Sequence, residues 1–170
     1  MAKFLITGDP GSGKSTLAKE LGRRGYAAYD ADDLPDVTRL EDAAGRPADW
    51  PEPPLDWSRY AWNWQEEGLR ERLASAGTVF VAAIASNQDK FYSWFDAIFV
   101  LVAGPAVLRE RLDGREGRYG RHPAELAEIL GGHAERVAGM LSPPHAVAVD
   151  ATRPLQEVAE DVIARALLSG

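Results

Sequence analysis

The residues of this chain best suited to chemistry stand together near its start. Gly8-Asp9-Pro10-Gly11-Ser12-Gly13-Lys14-Ser15-Thr16 is a complete G-x-x-x-x-G-K-[ST] string. Its glycines let the backbone turn tightly and aim successive N–H groups at one point, so the loop can cradle phosphate oxygens at the start of a helix. Lys14 is placed to reach the β- and γ-phosphates of a nucleoside triphosphate, and the Ser15 hydroxyl to ligate Mg²⁺. A second group, Asp30-Ala31-Asp32-Asp33, follows farther along. A carboxylate beside a triphosphate can hold Mg²⁺, the role expected of Asp30. It can also take the proton of an attacking hydroxyl, the role expected of Asp32. An Asp-rich turn before Pro35 would explain the same string without chemistry.

These residues need elements to position them. Residues 3–7 form a short apolar run suited to a buried parallel strand, and residues 17–21 open a helix that Gly22 can end. That strand–loop–helix order is the context a phosphate loop requires. Residues 26–29 read as a second strand that delivers Asp30 to its carboxyl end, where open parallel sheets bind ligands. Residues 78–84, 97–102 and 146–149 read as further strands. Helices are expected over 58–74, 105–112, 123–141 and 154–168, with a short helical piece at 90–95. The alternation predicts an α/β three-layer sandwich around a five-stranded parallel sheet, one domain over residues 1–170. Residues 34–56 are proline-rich and weakly periodic. They read as a long ordered excursion with short helical pieces, within an acceptor-binding region at 34–64.

Composition narrows the function. A formal net charge of −7 argues against broad binding to nucleic acid or an anionic membrane. The absence of cysteine excludes disulfides and thiolate metal sites. No apolar run approaches the roughly 18 residues of a membrane span, and the apolar stretch before the phosphate loop is too short for a signal peptide. The expectation is a soluble cytoplasmic protein, monomer or homodimer, acting on a small molecule. His122, His133 and His145 show no paired metal-ligand spacing, and no role is expected of them.

The phosphate loop between its strand and helix, followed by Asp-x-Asp after the second strand, resembles the shikimate kinase and gluconate kinase group. That group belongs with adenylate kinase among the small P-loop kinases. Leu108-Arg109-Glu110-Arg111-Leu112-Asp113-Gly114-Arg115 is similar to the L-x-x-R-[LI]-x-x-R approach to their mobile lid. The resemblance implies that residues 114–122 form a lid, that Arg111 covers the adenine and that Arg115 touches the phosphates. Asp150-Ala151-Thr152-Arg153-Pro154-Leu155 resembles the loop that packs on the adenine, which adds Thr152, Arg153 and Pro154 to the nucleotide site. ATP and Mg²⁺ are the implied ligands. The similarity runs over nearly the whole chain, although 34–64 matches none of the named enzymes closely.

The arginines also make sense without the family. Arg109, Arg111, Arg115, Arg118 and Arg121 concentrate cations in an acidic chain, and guanidinium supplies a bidentate fork for phosphoryl oxygens. A solvated helix face would carry them too, Arg109 above all. Trp50, Trp57, Tyr60, Trp62 and Trp64 crowd the acceptor region. Their faces could stack a nucleobase or line an apolar pocket. Alternatively Trp57, Tyr60, Ala61 and Trp64 form the buried stripe of a helix, which puts Trp62 and Trp64 on different sides. Arg39, Arg46 and Arg59 could recognise an anionic group. The third strand runs into Ala82-Ala83-Ile84-Ala85-Ser86-Asn87-Gln88, with no acid in the place of a Walker B aspartate. This shifts Mg²⁺ support onto Ser15 and Asp30. Ser86, Asn87 and Gln88 could contact the acceptor or form a polar turn.

The expected function is an ATP-dependent phosphotransferase acting on a hydroxyl of a metabolite, sugar or nucleoside. Lys14, Asp32 and Arg115 would carry the chemistry, with Lys14 facing solvent and supporting charge rather than packing. A nucleoside monophosphate kinase is the alternative and would need an arginine clamp in the excursion. A nucleotide-dependent switch or regulatory ATPase is the reading of another class. A GTPase would need N-K-x-D, which Asn87-Gln88-Asp89-Lys90 does not match. An oligomeric AAA machine would need Walker B acids and a helical lid domain.

Overall fold

Alternation along the first strand builds the layers. Phe4 and Ile6 point to one side of a sheet, Leu5 to the other, and all three are fully buried. In chain order, the computed structural model holds β1 (Ala2–Gly8), α1 (Lys14–Arg23), β2 (Ala27–Asp30), β3 (Thr38–Asp42) and β4 (Tyr60–Trp64). There follow α2 (Glu66–Ala74), β5 (Thr78–Ala82), β6 (Ala97–Val102), α3 (Pro105–Asp113), α4 (Pro123–Gly131), α5 (His133–Met140), β7 (Ala146–Asp150) and α6 (Leu155–Ser169). Short 3-10 segments cover Ala31–Asp33 and Gln88–Trp94. The structure describes residues 1–75, 77–114 and 119–169.

The main sheet runs in the order β2-β5-β1-β6-β7 with every pairing parallel. Its register sets Phe4 beside Phe80 and Ile6 beside Phe99. Those side chains meet Leu17 and Leu21 of α1 and Val158 and Val162 of α6. On the opposite face Leu5, Val79, Val81 and Ile98 meet Leu69 and Leu73 of α2 and Met140 of α5. Strands buried on both faces read as continuous apolar runs, which is why the sheet is legible in the sequence.

Four local expectations are corrected. The excursion at 34–56 holds strand β3 in place of the expected short helical pieces, because Thr38–Asp42 finds a ladder partner in β4. Residues 58–74 do not form one helix: β4 pairs antiparallel with β3, setting Trp62 opposite Leu40 and Trp64 opposite Thr38, and α2 begins only at Glu66. The apolar spacing fits the stripe of a helix, but pairing with a partner distant in sequence makes Tyr60–Trp64 a strand. The helix expected from Pro123 divides into α4 and α5 at Gly132. Strand β5 stops at Ala82, two residues short of the expected end.

The β3–β4 ribbon is joined to the main body through Ser86 and Asn87, which both bond β4. Asn87 bridges the backbone of Trp64, its Oδ1 accepting from Trp64 N at 2.9 Å and its Nδ2 donating to Trp64 O at 3.0 Å. At the start of α2, Gln65 N donates to Val37 O at 2.7 Å. Gly68 then lets the helix run against the chain at Asp36: a Cβ at Gly68 would overlap the Asp36 carbonyl oxygen and lie 2.6 Å from its carbon. No other residue permits so close an approach.

Candidate active site

The phosphate loop closes on itself. Gly13 takes φ 102° and starts α1 at Lys14, a left-handed conformation that glycine adopts without strain. The first-turn N–H groups of α1 have no intrahelical partners and face the cleft with a positive helix end behind them. Lys14 is only 8% exposed, and its Nζ donates to Gly8 O at 2.8 Å and Asp9 O at 2.9 Å. This corrects the expectation of a solvent-facing ammonium: the loop's own carbonyls hold it. Ser12 Oγ is buried at the cleft wall with no partner among the described residues, so it is available to a phosphate oxygen.

The loop is braced from both sides. Arg111 of α3 donates to Ser12 O at 3.1 Å and to Ala151 O at 2.6 Å, joining the phosphate loop to the β7–α6 connection. Asp9 is 1% exposed and turns away from the cleft. Its carboxylate accepts from Arg136 Nε at 2.6 Å and bonds His133 Nδ1, fastening the loop to α5.

Across the cleft, β2 ends at Asp30, beside Ala82 of β5. Asp30 caps the following 3-10 turn by accepting from Asp32 N at 3.1 Å. Asp32 Oδ1 accepts from Trp62 Nε1 at 2.8 Å. The outer edge of Asp32 is open to solvent, yet the cleft walls shut out enough bulk water to push its carboxyl pKa up. Asp30 and Asp33 push the same way, while the Trp62 bond and the Lys14 charge pull it down. Trp50 leans on Trp62 with ring centroids 5.6 Å apart. Trp57 Nε1 donates to the Tyr119 hydroxyl at 2.8 Å, and burial pushes the Tyr119 phenol up. Ser86 holds the floor: its Oγ accepts from Trp62 N at 3.1 Å and its N donates to Trp62 O at 2.7 Å. The whole is one cleft of about 1260 Å³.

A sequence model described as an AAA domain matches residues 5–131, well over half of the chain. The chain belongs to that family. The matched segment of this AAA-domain protein contains the phosphate loop, the Asp30–Asp33 turn, β5 and α3. Among solved structures, a gluconokinase from Sinorhizobium meliloti 1021 is 24% identical with a TM-score of 0.60, covering 98% of this chain and 91% of that one. A deoxyadenosine kinase from M. mycoides with bound dATP is 12% identical with a TM-score of 0.55, over 96% and 98% of the two chains. A sugar kinase from Janibacter sp. HTCC2649 is 16% identical with a TM-score of 0.54, over 96% and 93%. The fold is that of the small P-loop kinases, as the resemblance implied.

In this AAA-domain protein the cleft brings together Pro10–Thr16 of the loop, Asp30, Asp32, Trp62, Ser86, Arg111 and Arg153. Other sequence candidates stand elsewhere. Gly8 lies beneath the loop against Leu101. Thr152 is turned onto Asp150, its hydroxyl 2.6 Å from Oδ1, and Pro154 precedes α6 outside the lining. Trp64 is 2% exposed between Phe91 and Phe95. Asn87 serves the ribbon, and Gln88 ties Thr7 to the Ala85 N–H. Arg39 pairs with Glu41 at 2.9 Å and Arg46 with Asp42 at 2.8 Å, both away from the cleft. Arg115 and Arg118 lie outside the described residues.

Sequence reasoning missed Tyr119, Glu128 and Arg136, which line the cleft from α4, α5 and the segment before them. It also missed Glu125, 2% exposed, which accepts from Leu55 N and Gly120 N at 2.9 Å each. A buried carboxylate bound to two distant amides has no signature in spacing. Among the described residues no group of three His, Cys, Asp or Glu is arranged to hold a metal, and no helix is long and apolar enough to cross a membrane.

Proposed function

We propose that the protein moves the γ-phosphoryl group of ATP to a hydroxyl of a small molecule. The observation that carries this reading is Asp32: a carboxylate of raised pKa, oriented by Trp62, in the same cleft as the phosphate loop. Asp32 accepts the hydroxyl proton as the acceptor oxygen bonds the γ-phosphorus. The bond from that phosphorus to the β–γ bridging oxygen breaks, giving the phosphorylated product and ADP. Lys14 exchanges its loop carbonyls for phosphate oxygens and stabilises the charge that develops there. The Ser15 hydroxyl and the Asp30 carboxylate are hard oxygen donors that line the same cleft and would hold Mg²⁺, which when bound would neutralise charge on the β- and γ-phosphates. Residues 114–122, with Arg115, belong to this reading as the lid over the triphosphate.

A nucleoside monophosphate kinase finds less support. Its clamp candidate Arg39 is joined to Glu41, and the described cleft residues around Asp32 include no arginine. The test is ³¹P NMR of ATP and Mg²⁺ with a panel of alcohols, sugars and nucleosides. Asp32→Asn should lower turnover about 10²–10⁴-fold on any active acceptor, with affinity for a non-hydrolysable ATP analogue retained. Near-wild-type turnover in that variant removes Asp32 from the mechanism. Steady ATP hydrolysis with no phosphorylated product would favour the regulatory ATPase.

A further inference from the structure

The acceptor half of the cleft has an unusual wall. Trp50, Trp57 and Trp62 all line it half-buried, each presenting indole surface to the cavity. They are positioned rather than loose, Trp62 by Asp32, Trp57 by Tyr119 and Trp50 by Trp62. Between and beside them stand carboxylates. Asp33 follows Asp32 at the wall and accepts no hydrogen bond or ion pair among the described residues, and Glu128 lines the cavity near Trp57.

The described cations of the same cavity are each engaged by oxygen atoms of the chain, although Lys14 is near enough to Asp32, and Arg136 to Tyr119, to be felt there. Lys14 and Arg111 are held by phosphate-loop carbonyls, Arg136 by Asp9 and Arg153 by Asp161. Arg39 and Arg46, the candidates for an anionic group, are turned into carboxylates of their own ribbon. A phosphate or carboxylate on the acceptor would therefore meet Asp33 and Glu128, while the nearby guanidinium of Arg136 is already paired with Asp9. Aromatic faces carry negative quadrupole potential, and together with carboxylates they make the environment that attracts an ammonium group.

Building on the phosphotransferase reading, we infer that the acceptor is a cation: a hydroxyl compound bearing a protonated or quaternary amine. Its ammonium group lies against the indole faces of Trp50, Trp57 and Trp62, with Asp33 and Glu128 as counter-charges, while its hydroxyl meets Asp32. Selectivity against anionic acceptors follows from the same wall.

Two measurements separate this inference from the reading beneath it. The first is binding, read by intrinsic tryptophan fluorescence in the presence of a non-hydrolysable ATP analogue and Mg²⁺. Its probes are choline against its neutral isostere 3,3-dimethylbutan-1-ol, glucosamine against glucose, and 4-hydroxybutanoate as the anion. At least one amine should bind about tenfold tighter than its neutral counterpart, and 4-hydroxybutanoate should not bind. Asp33→Asn and, separately, Trp62→Leu should erase most of that preference. Asp33 is exposed, so its variant keeps the test alive if Trp62→Leu fails to fold. Equal or weaker binding of both amines than of their neutral partners overturns the inference, as does tighter binding of the anion. The second measurement is phosphoryl transfer to the same compounds by ³¹P NMR. Transfer to neutral or anionic acceptors in preference to amines leaves the phosphotransferase standing and overturns the inference. Selective amine binding with ATP hydrolysed and nothing phosphorylated supports the cation site and overturns the phosphotransferase.

Discussion

Replacing Glu125 by Gln isolates the contact that joins the acceptor region to the segment above the cleft. The carboxylate accepts from Leu55 N and from Gly120 N, both at 2.9 Å, from a side chain almost shut off from water. Glutamine keeps one acceptor oxygen and turns an NH₂ toward the other amide. One charge-assisted bond disappears, worth about 1.5–3 kcal/mol, and a buried N–H is left facing a donor, a cost of about 1–3 kcal/mol. The two overlap, so the net loss should be about 2–4 kcal/mol. At this chain length each kcal/mol moves the melting temperature by about 2–4 °C, so the variant should melt about 5–15 °C lower. Differential scanning calorimetry reads that directly. Glu128→Gln, one turn along α4 and exposed, is the control and should stay within about 2 °C of wild type. Because Leu55 leads to Trp57 and Gly120 follows Tyr119, the Glu125 variant should also raise the Michaelis constant for the acceptor more than that for ATP. An unchanged melting temperature, or equal effects on both substrates, would refute the argument that this carboxylate couples the two segments.

Three further outcomes follow from the geometry. Lys14→Ala should abolish phosphoryl transfer and also lower stability by about 1–3 kcal/mol, since its ammonium bonds two loop carbonyls; transfer assays and urea unfolding check both. Gly68→Ala gains up to about 1 kcal/mol of helix propensity, but the added methyl overlaps the Asp36 backbone. Its melting temperature should therefore fall and its turnover with it, because Asp36 follows the Asp30–Asp33 turn; a melting temperature at or above wild type contradicts this. For Asp32, a pKa above the ordinary 3.8 means the folded chain binds this proton more readily than the unfolded one. The ionised carboxylate then reduces stability at neutral pH, and the reduction fades as pH falls through the raised pKa toward 3.8. Asp32→Asn should thus melt higher than wild type at pH 7 and equally near pH 3, while the acid limb of wild-type kcat/KM lies above pH 3.8.

The sequence by itself determined the parts governed by short-range rules. The phosphate loop is contiguous, its glycine conformations are intrinsic, and each buried parallel strand is a local apolar run, so β1, β6 and the place of Asp30 and Asp32 could be read directly. Only tertiary structure decided the rest, because it depends on partners distant in the chain. Tyr60–Trp64 is a strand because Thr38–Asp42 offers it a ladder, and Trp62 faces the cleft because Asp32 and Ser86 bond it there. Trp64 sits in the core because Phe91 and Phe95 receive its ring. Asp9 has the sequence position of a phosphate contact, yet His133 and Arg136, more than a hundred residues away, draw its carboxylate out of the cleft. Hydrophobic period and loop chemistry are properties of neighbours along the chain. The direction of a charged or aromatic side chain is set by what the fold brings against it.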